Sequence, residues 1–252
     1  MTFADQAFTI SVDHIHCRCA GTFRLSEPVE ALRRAGWDRF LERHPAAFDG
    51  QLLRLAEHRI ENGGLTIMAQ STSFSAYVVT RHAGFAAEHP DAQRSDPLGL
   101  TIILVTADQQ VIVTKRSLTA EQNPGALYLI GGYAEPGASE EVDLFDEAAR
   151  ELAEEVAVTD IDRSTAFAIG LAYDPVHCHP ELFILASSRS TSAAILAGAH
   201  HAPDRNEAAE LFASPLSDIL NDDGFLPDAP RTWSFLKARS FLQRHFRQHH
   251  AL

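Results

Sequence analysis

The sequence predicts an α/β protein: a mixed-sheet α/β/α sandwich preceded by a small α+β unit. Strand-like runs flank at least two helical segments within about 150 residues, a pattern that closes into stacked layers. The run Leu100 to Thr106 is nearly continuous in apolar residues, as in a core strand. The segment Leu144 to Val156 repeats its apolar residues at helical spacing and so needs a core to lie on. A chain of 252 residues with 45% hydrophobic content can bury one core plus a small accessory domain. The division expected is 1–95 for the α+β unit and 96–252 for the sandwich.

Taken in order, Phe8 to Cys19 alternates as a strand does, and Ser26 with Pro28 in the first turn starts a helix that Pro45 stops. Leu52 to Ile60 and Leu65 to Ala69 read as two strands around the turn Asn62-Gly63-Gly64, followed by a mixed run, Thr72 to Tyr77. His82 to Pro97 is polar and broken, and is expected to connect the two parts. Leu100 to Thr106 and Val111 to Lys115 then pair around a turn at Ala107 to Gln110, and Leu127 to Ile130 is a short strand delivering the pair Gly131-Gly132. Beyond the acidic helix, Ala166 to Tyr173 and Glu181 to Ser187 are strand-like, with the loop Asp174 to Pro180 between them. A flexible alanine-rich connection ends at 204–210, Leu211-Phe212 is a short strand and Pro215 to Leu220 a helix. The final helix, Thr232 to Phe246, is expected to pack Phe235, Leu236, Phe241 and Leu242.

The helix after the glycine pair is unusual in where it carries its acid. With Leu144 at zero and about 100° per residue, Glu147, Glu151, Glu154 and Glu155 abut the apolar arc, and Glu155 lies inside it, at about 20°. Glu147, Glu151 and Glu155 also stand one turn apart, where like charges repel. A solvated acidic face would point away from the core and would need no glycine pair upstream. Carboxylates converging at the edge of a core, beside backbone left bare by glycine, suit a hard divalent cation.

These residues resemble the Nudix box, G-x5-E-x7-R-E-U-x-E-E-x-G-U, with U a bulky aliphatic residue. Gly132, Arg150-Glu151-Leu152 and Glu154-Glu155 match it. Counting back from Arg150 puts the first family glutamate at Val142, while counting forward from Gly132 puts it at Ala138. The loop therefore carries about four extra residues, and Glu135, Glu140, Glu141 and Glu147 are the candidates for the displaced acid. The late glycine is Ala157, where glycine only eases the helix end. The resemblance extends through Trp37, Pro45, Phe48-Asp49-Gly50, Asp96-Pro97-Leu98-Gly99, Thr106-x-Asp108, Lys115-Arg116-Ser117 and Pro124-Gly125 to the branch that includes the animal UDP-glucose and UDP-galactose hydrolase and its plant relatives. That branch has a longer loop in the box and an N-terminal domain. Ile130 and Tyr133, on either side of the glycine pair, depart from its pattern.

The resemblance implies the Nudix sandwich and a Mg²⁺-dependent hydrolase, with Mn²⁺ as an alternative ion, cutting a UDP-sugar into UMP and sugar 1-phosphate. An ADP-ribose or dinucleotide diphosphatase, or a nucleotide-binding module without turnover, are the alternatives. Glu151, Glu154 and Glu155 are the expected metal ligands, with the Gly132 carbonyl as a further oxygen. Arg150 is expected to brace the carboxylates through charge-assisted hydrogen bonds. Glu181, an acid leading an otherwise apolar strand, is the candidate for a further ligand or general base; a solvated strand-end glutamate is the alternative. Arg116 is placed to reach a phosphate or only to pack its stem, and Gly131, Gly132 and Tyr133 join it as substrate-binding candidates. Phe74, Tyr77, Tyr133 and Tyr173 are stacking candidates against core packing, with base and sugar recognition expected from the N-terminal unit.

A formal net charge of -13 and the lack of a basic patch argue against nucleic acid as partner, which leaves a small anionic nucleotide whose charge metal ions screen. No apolar stretch has the length of a membrane span, and the first ten residues lack the layout of a secretion signal, so a cytoplasmic protein is expected. Three cysteines fit free thiols better than a disulfide framework. Two clusters suggest zinc: His14, His16, Cys17 and Cys19, then His177, Cys178 and His179. The Cys17-x-Cys19 spacing is tight, and alternation separates the histidines from the cysteines, so packed or solvent-facing strand residues are the favoured reading. His245, His249 and His250 are expected in a frayed end.

Overall fold

In the computed structural model, which describes residues 3–221 and 227–249, the alternating segment at the start of the chain is split in two. β1 (Gln6–Ser11) and β2 (Ile15–Thr22) are separated by a 3-10 turn at Val12–His14, whose Ser11 side chain accepts the Asp13 N–H. The break lets β1 and β2 enter different sheets. Helix α1 (Glu27–Arg43) has proline in its first turn, as expected, and β3 (Gln51–Glu61) and β4 (Gly64–Ser73) pair around Asn62 and Gly63, both at positive φ. The mixed run that follows is the end of β4 and α2 (Phe74–Thr80); α3 (Phe85–Glu88) is a single turn inside the connecting segment.

The core strands are β5 (Gly99–Val105) and β6 (Gln110–Arg116), with β7 (Leu127–Tyr128) paired to β6. Residues 141–142 form a short strand, β8, ahead of α4 (Leu144–Val156). β9 (Phe167–Asp174) and β10 (His179–Ser187) make an antiparallel pair. The alanine-rich connection is not irregular: it holds α5 (Ser192–Gly198) and two 3-10 turns, because Asp108 receives both the N–H and the hydroxyl of Ser192 and anchors the start of α5. The third sequence-derived strand near the C-terminus is longer than two residues, running as β11 (Ala208–Pro215) along β6, before α6 (Leu216–Asn221) and α7 (Trp233–His249).

The larger sheet has the order β1-β9-β10-β5-β6-β11, with β10 and β5 parallel and the rest antiparallel; the smaller has the order β3-β4-β2-β8. Alternation along β5 and β10 explains the continuous apolar run. Leu100, Ile102, Leu104, Leu182 and Ile184 face a core shared with α4 and the smaller sheet, while Ile103, Val105, Phe183 and Leu185 face α7. This is a mixed-sheet α/β/α sandwich. Leu236 lies on the outer side of α7, 42% exposed, so it does not pack as expected, whereas Phe235, Phe241 and Leu242 do. Both sheets cross the 95/96 division: β1 joins the larger sheet, and β8 joins the smaller. No helix among the described residues is long and apolar enough to cross a membrane.

Candidate active site

α4 is set where it is by its two ends. Asp143 caps its N-terminus, accepting from the Phe145 and Asp146 N–H groups, and Ala157 ends it in the left-handed conformation at φ 57°. Leu144, Ala148, Leu152 and Val156 are buried, and the carboxylates of Glu151 and Glu155 go down with them, at 8% and 6% exposure. Burial pushes the Glu151 carboxyl up to about 7 and that of Glu155 up to about 8. The acid expected at the rim of the core is therefore held inside it.

Each carboxylate is positioned by a different group. Arg150 donates to Glu151 Oε1 at 2.8 Å, Glu154 Oε2 at 2.7 Å and Glu147 Oε2 at 3.0 Å. Glu155 Oε1 accepts from the Tyr128 hydroxyl at 2.6 Å and the Gly131 N–H at 3.0 Å. Tyr128 was not singled out in the sequence; its proximity to Glu155 arises from the pairing of β7 with β6 and carries no local signal. The glycine pair is required by close approach. A Cβ on Gly131 would lie 1.9 Å from the Leu100 carbonyl oxygen, and one on Gly132 would lie 2.7 Å from both Glu151 oxygens. The Gly132 carbonyl accepts the Leu100 N–H at 2.8 Å, so one of its lone pairs is committed to the sheet.

Among the candidates for the displaced acid, Glu140 pairs with exposed Arg18 and Glu141 lies on β8, away from the cleft. Glu147 instead joins the cluster: it accepts the Glu135 N–H at 2.9 Å and holds Arg150 from the other side. Glu135 itself lines the cleft.

The cleft over these groups has a volume of about 480 Å³, within the range of small-ligand sites. Glu151, Glu154, Glu155, Glu181, Asp174, His179 and Arg116 all line it. Arg116 stacks over the Tyr128 ring at 4.7 Å, and its buried Nε has no hydrogen-bond partner among the described residues. Glu181 is not a solvated strand end. It is 4% exposed, accepts from the Thr101 hydroxyl and from Ser234 Oγ at 2.8 Å, and burial pushes its carboxyl up to about 7.

Of the aromatic candidates, Tyr133 and Phe74 line the cleft. Tyr77 is fully buried, and Tyr173 is buried with its hydroxyl on Asp96 Oδ1 at 2.9 Å, so these two pack and do not stack on a ligand. Phe48, 76% exposed, also lines the cleft, a place that the Phe48-Asp49-Gly50 motif alone did not give it; its neighbour Asp49 pins the loop to α2 through the Ser75 N–H and hydroxyl. The first zinc cluster does not assemble: Cys17 is buried, while His14 and His16 are exposed. In the second, Cys178 packs in the core and only His179 joins other ligand-type groups. His245 contacts Thr9 Oγ1 at 2.9 Å and so is not frayed; the His249 side chain and His250 lie outside the described residues.

The donor set suits a hard cation. Glu151 and Glu155 offer carboxylate oxygens one turn apart, burial makes their charge costly without a counter-charge, and the bare glycine backbone leaves room beside them.

No family model matches the sequence, and no curated protein matches it. Solved structures similar to the chain include the MutT protein from Methanosarcina mazei Go1, at 18% identity over 61% of this chain and 94% of that one, with a TM-score of 0.40. The MutT NUDIX hydrolase from Burkholderia pseudomallei is 18% identical over 57% and 95%, with a TM-score of 0.40. An Ap4A hydrolase from C. elegans is 14% identical over 62% and 99%, with a TM-score of 0.38. Overlap at this level assigns no activity, which rests on the residues in the cleft.

Proposed function

We propose that the chain is a Nudix-type hydrolase, using Mg²⁺ or Mn²⁺ to cleave a nucleoside diphosphate linked to another moiety, specifically a UDP-sugar into UMP and sugar 1-phosphate. The observation that carries this is the pair of buried carboxylates, Glu151 and Glu155, opening onto the same cleft as the Arg116 guanidinium. A diphosphate resists attack because its oxygens repel a nucleophile, and a bound divalent ion supplies charge neutralisation and a more acidic water. Glu151 and Glu155, with Glu154 beside them, would hold that ion.

The rest of the chemistry falls to the chain. Arg150 keeps Glu147, Glu151 and Glu154 in one arrangement, which costs least if set before substrate arrives. Tyr128 and the Gly131 N–H orient Glu155. Arg116, which lines the cleft, binds a phosphate oxygen. Phe48, Phe74 and Tyr133 form the wall against which base and sugar are recognised, giving the N-terminal unit, residues 1–95, its role in selection. Glu181, whose carboxyl sits near neutrality, serves as further ligand or general base.

The test is a panel of nucleotide sugars, ADP-ribose and dinucleotides incubated with the protein and Mg²⁺ or Mn²⁺, with products resolved by chromatography. UMP and sugar 1-phosphate from a UDP-sugar are the expected products. Release of AMP from ADP-ribose in preference would move the reaction to that substrate. Absence of any nucleoside monophosphate would overturn the enzymatic reading, and binding without product, unchanged in Glu155→Gln, would make the chain a binding module.

A further inference from the structure

The turn between β9 and β10 gathers three ligand-type side chains that the helix carboxylates do not include. His179 pairs directly with Asp174 across the two strands, and Glu181 follows His179 by two residues. Directly opposed residues share a face, as do residues two apart, so the register itself puts all three on one side of the sheet. One ligand atom from each lies within 4.8 Å of the others. All three are buried, at 2%, 6% and 4% exposure, and all line the cleft.

The hydrogen bonds around them show which atoms are left over. Asp174 Oδ1 accepts the N–H groups of Val176 and His177 at 2.6 and 3.1 Å, leaving Oδ2 without a donor among the described residues. The Tyr77 hydroxyl donates its one proton to the His177 carbonyl at 2.8 Å, so its oxygen, 3.2 Å from His179 Nδ1, accepts. Nδ1 therefore carries the ring proton, and Nε2 presents its lone pair. Nε2 has no hydrogen-bond partner among the described residues and lies 3.9 Å from Glu181 Oε2. That gap is too long for a hydrogen bond. It suits two donors on one ion with bonds of about 2.1 Å, which stand about 3–4 Å apart. The space beside them is kept open by Gly99, where a Cβ would come 3.1 Å from His179 Nε2 and 3.4 Å from Glu181 Cγ.

We propose that Asp174, His179 and Glu181 form a second cation site, separate from the α4 carboxylates, which takes a divalent transition ion and leaves its remaining positions open to the cleft. An imidazole with two carboxylates favours Mn²⁺, Co²⁺ or Zn²⁺ over Mg²⁺, which prefers oxygen throughout. The tyrosine that locks the histidine tautomer is the kind of outer partner that ligating histidines require. Glu181 is thereby a ligand, and its competing role as general base falls away.

The experiment uses the full chain, stripped of metal and carrying Glu151→Gln and Glu155→Gln, so that the α4 site is disabled and the result does not depend on whether the chain is a diphosphatase. Co²⁺ is titrated in and followed by visible absorption and calorimetry. One Co²⁺ per chain is expected, resistant to a large excess of Mg²⁺. Adding His179→Gln or Asp174→Asn should weaken binding by more than about 100-fold, and Tyr77→Phe, which keeps the ring and removes the acceptor, by about 10-fold. Circular dichroism checks that each variant is folded; should His179→Gln unfold, Asp174→Asn and Tyr77→Phe carry the test. No bound Co²⁺, or an affinity unchanged by these substitutions, would overturn the second site.

Discussion

The most consequential residue is Glu155, a carboxylate in the core that is served by two donors, Tyr128 and the Gly131 N–H, and by no cation among its hydrogen-bond partners. Glu155→Gln keeps the shape and removes the charge. It should lower nucleotide-sugar hydrolysis by about 100-fold or more, the scale of losing one charge-stabilising group in a closed site, while leaving the far-UV spectrum unchanged. Rates within a few-fold of the parent would place the metal elsewhere. The same residue makes a pH prediction. A carboxyl raised in the fold, about 8 for Glu155 and about 7 for Glu151, holds its proton more tightly than in the unfolded chain. Its contribution to stability is complete below the unfolded value of about 4.5 and is lost as pH rises through the folded values. His179 acts oppositely, losing stability as pH falls from about 6.5 toward 4. Between pH 7 and 8.5 only the glutamates contribute, so the melting temperature in EDTA should fall across that window. Mg²⁺ should restore it, and Glu155→Gln should flatten the slope. A metal-free melting temperature that rises over the window would count against the buried carboxylates.

At the scale of the element, α4 shows which departures from the family pattern matter. Ala157 occupies a left-handed position at the helix end, where a Cβ is unfavourable. Ala157→Gly should therefore stabilise the protein by about 1 kcal/mol, a rise of roughly 2–4 °C in melting temperature by calorimetry. A fall would mean that the alanine methyl packs more usefully than its backbone is strained. The extra loop residues are also accommodated: residues 141–142 form β8 against β2, so the insertion ties α4 to the smaller sheet. Sequence reading found α4 because its apolar period is strong. It missed α5, whose alanines give little period and whose start is fixed by Asp108, 84 residues away in the chain. The Thr106-x-Asp108 motif thus acts in folding, through contacts that no local window contains.

At the scale of the molecule, the N-terminal segment is woven into the part that carries α4. β1 lies along β9, β2 along β8, and Leu53, Leu55, Leu65 and Ile67 share one core with α4. A fragment of residues 96–252 would lose an edge strand and expose that core. It should be insoluble or should melt without a cooperative transition, as followed by circular dichroism. A sharp melt with a normal Mg²⁺ response would show instead that the sandwich folds alone. The cleft is likewise a product of both parts, with Phe48 and Phe74 from one and α4, Arg116 and Glu181 from the other.

By itself the sequence determined what repeats along the chain or is packed within a few residues of itself. The apolar run of β5, the turn at Asn62 and Gly63, the period of α4 and its cluster of Arg150, Glu151, Glu154 and Glu155 were all legible, because helical and strand geometry translate spacing directly into faces. The tertiary structure alone decided what depends on distant segments meeting. It paired Tyr128 with Glu155, brought the Glu135 N–H to Glu147, and buried Glu181 between Thr101 and Ser234. It also put His179 with Asp174 and Glu181. Burial and strand register are properties of the whole fold, and they turn an acidic stretch into a set of oriented, desolvated ligands.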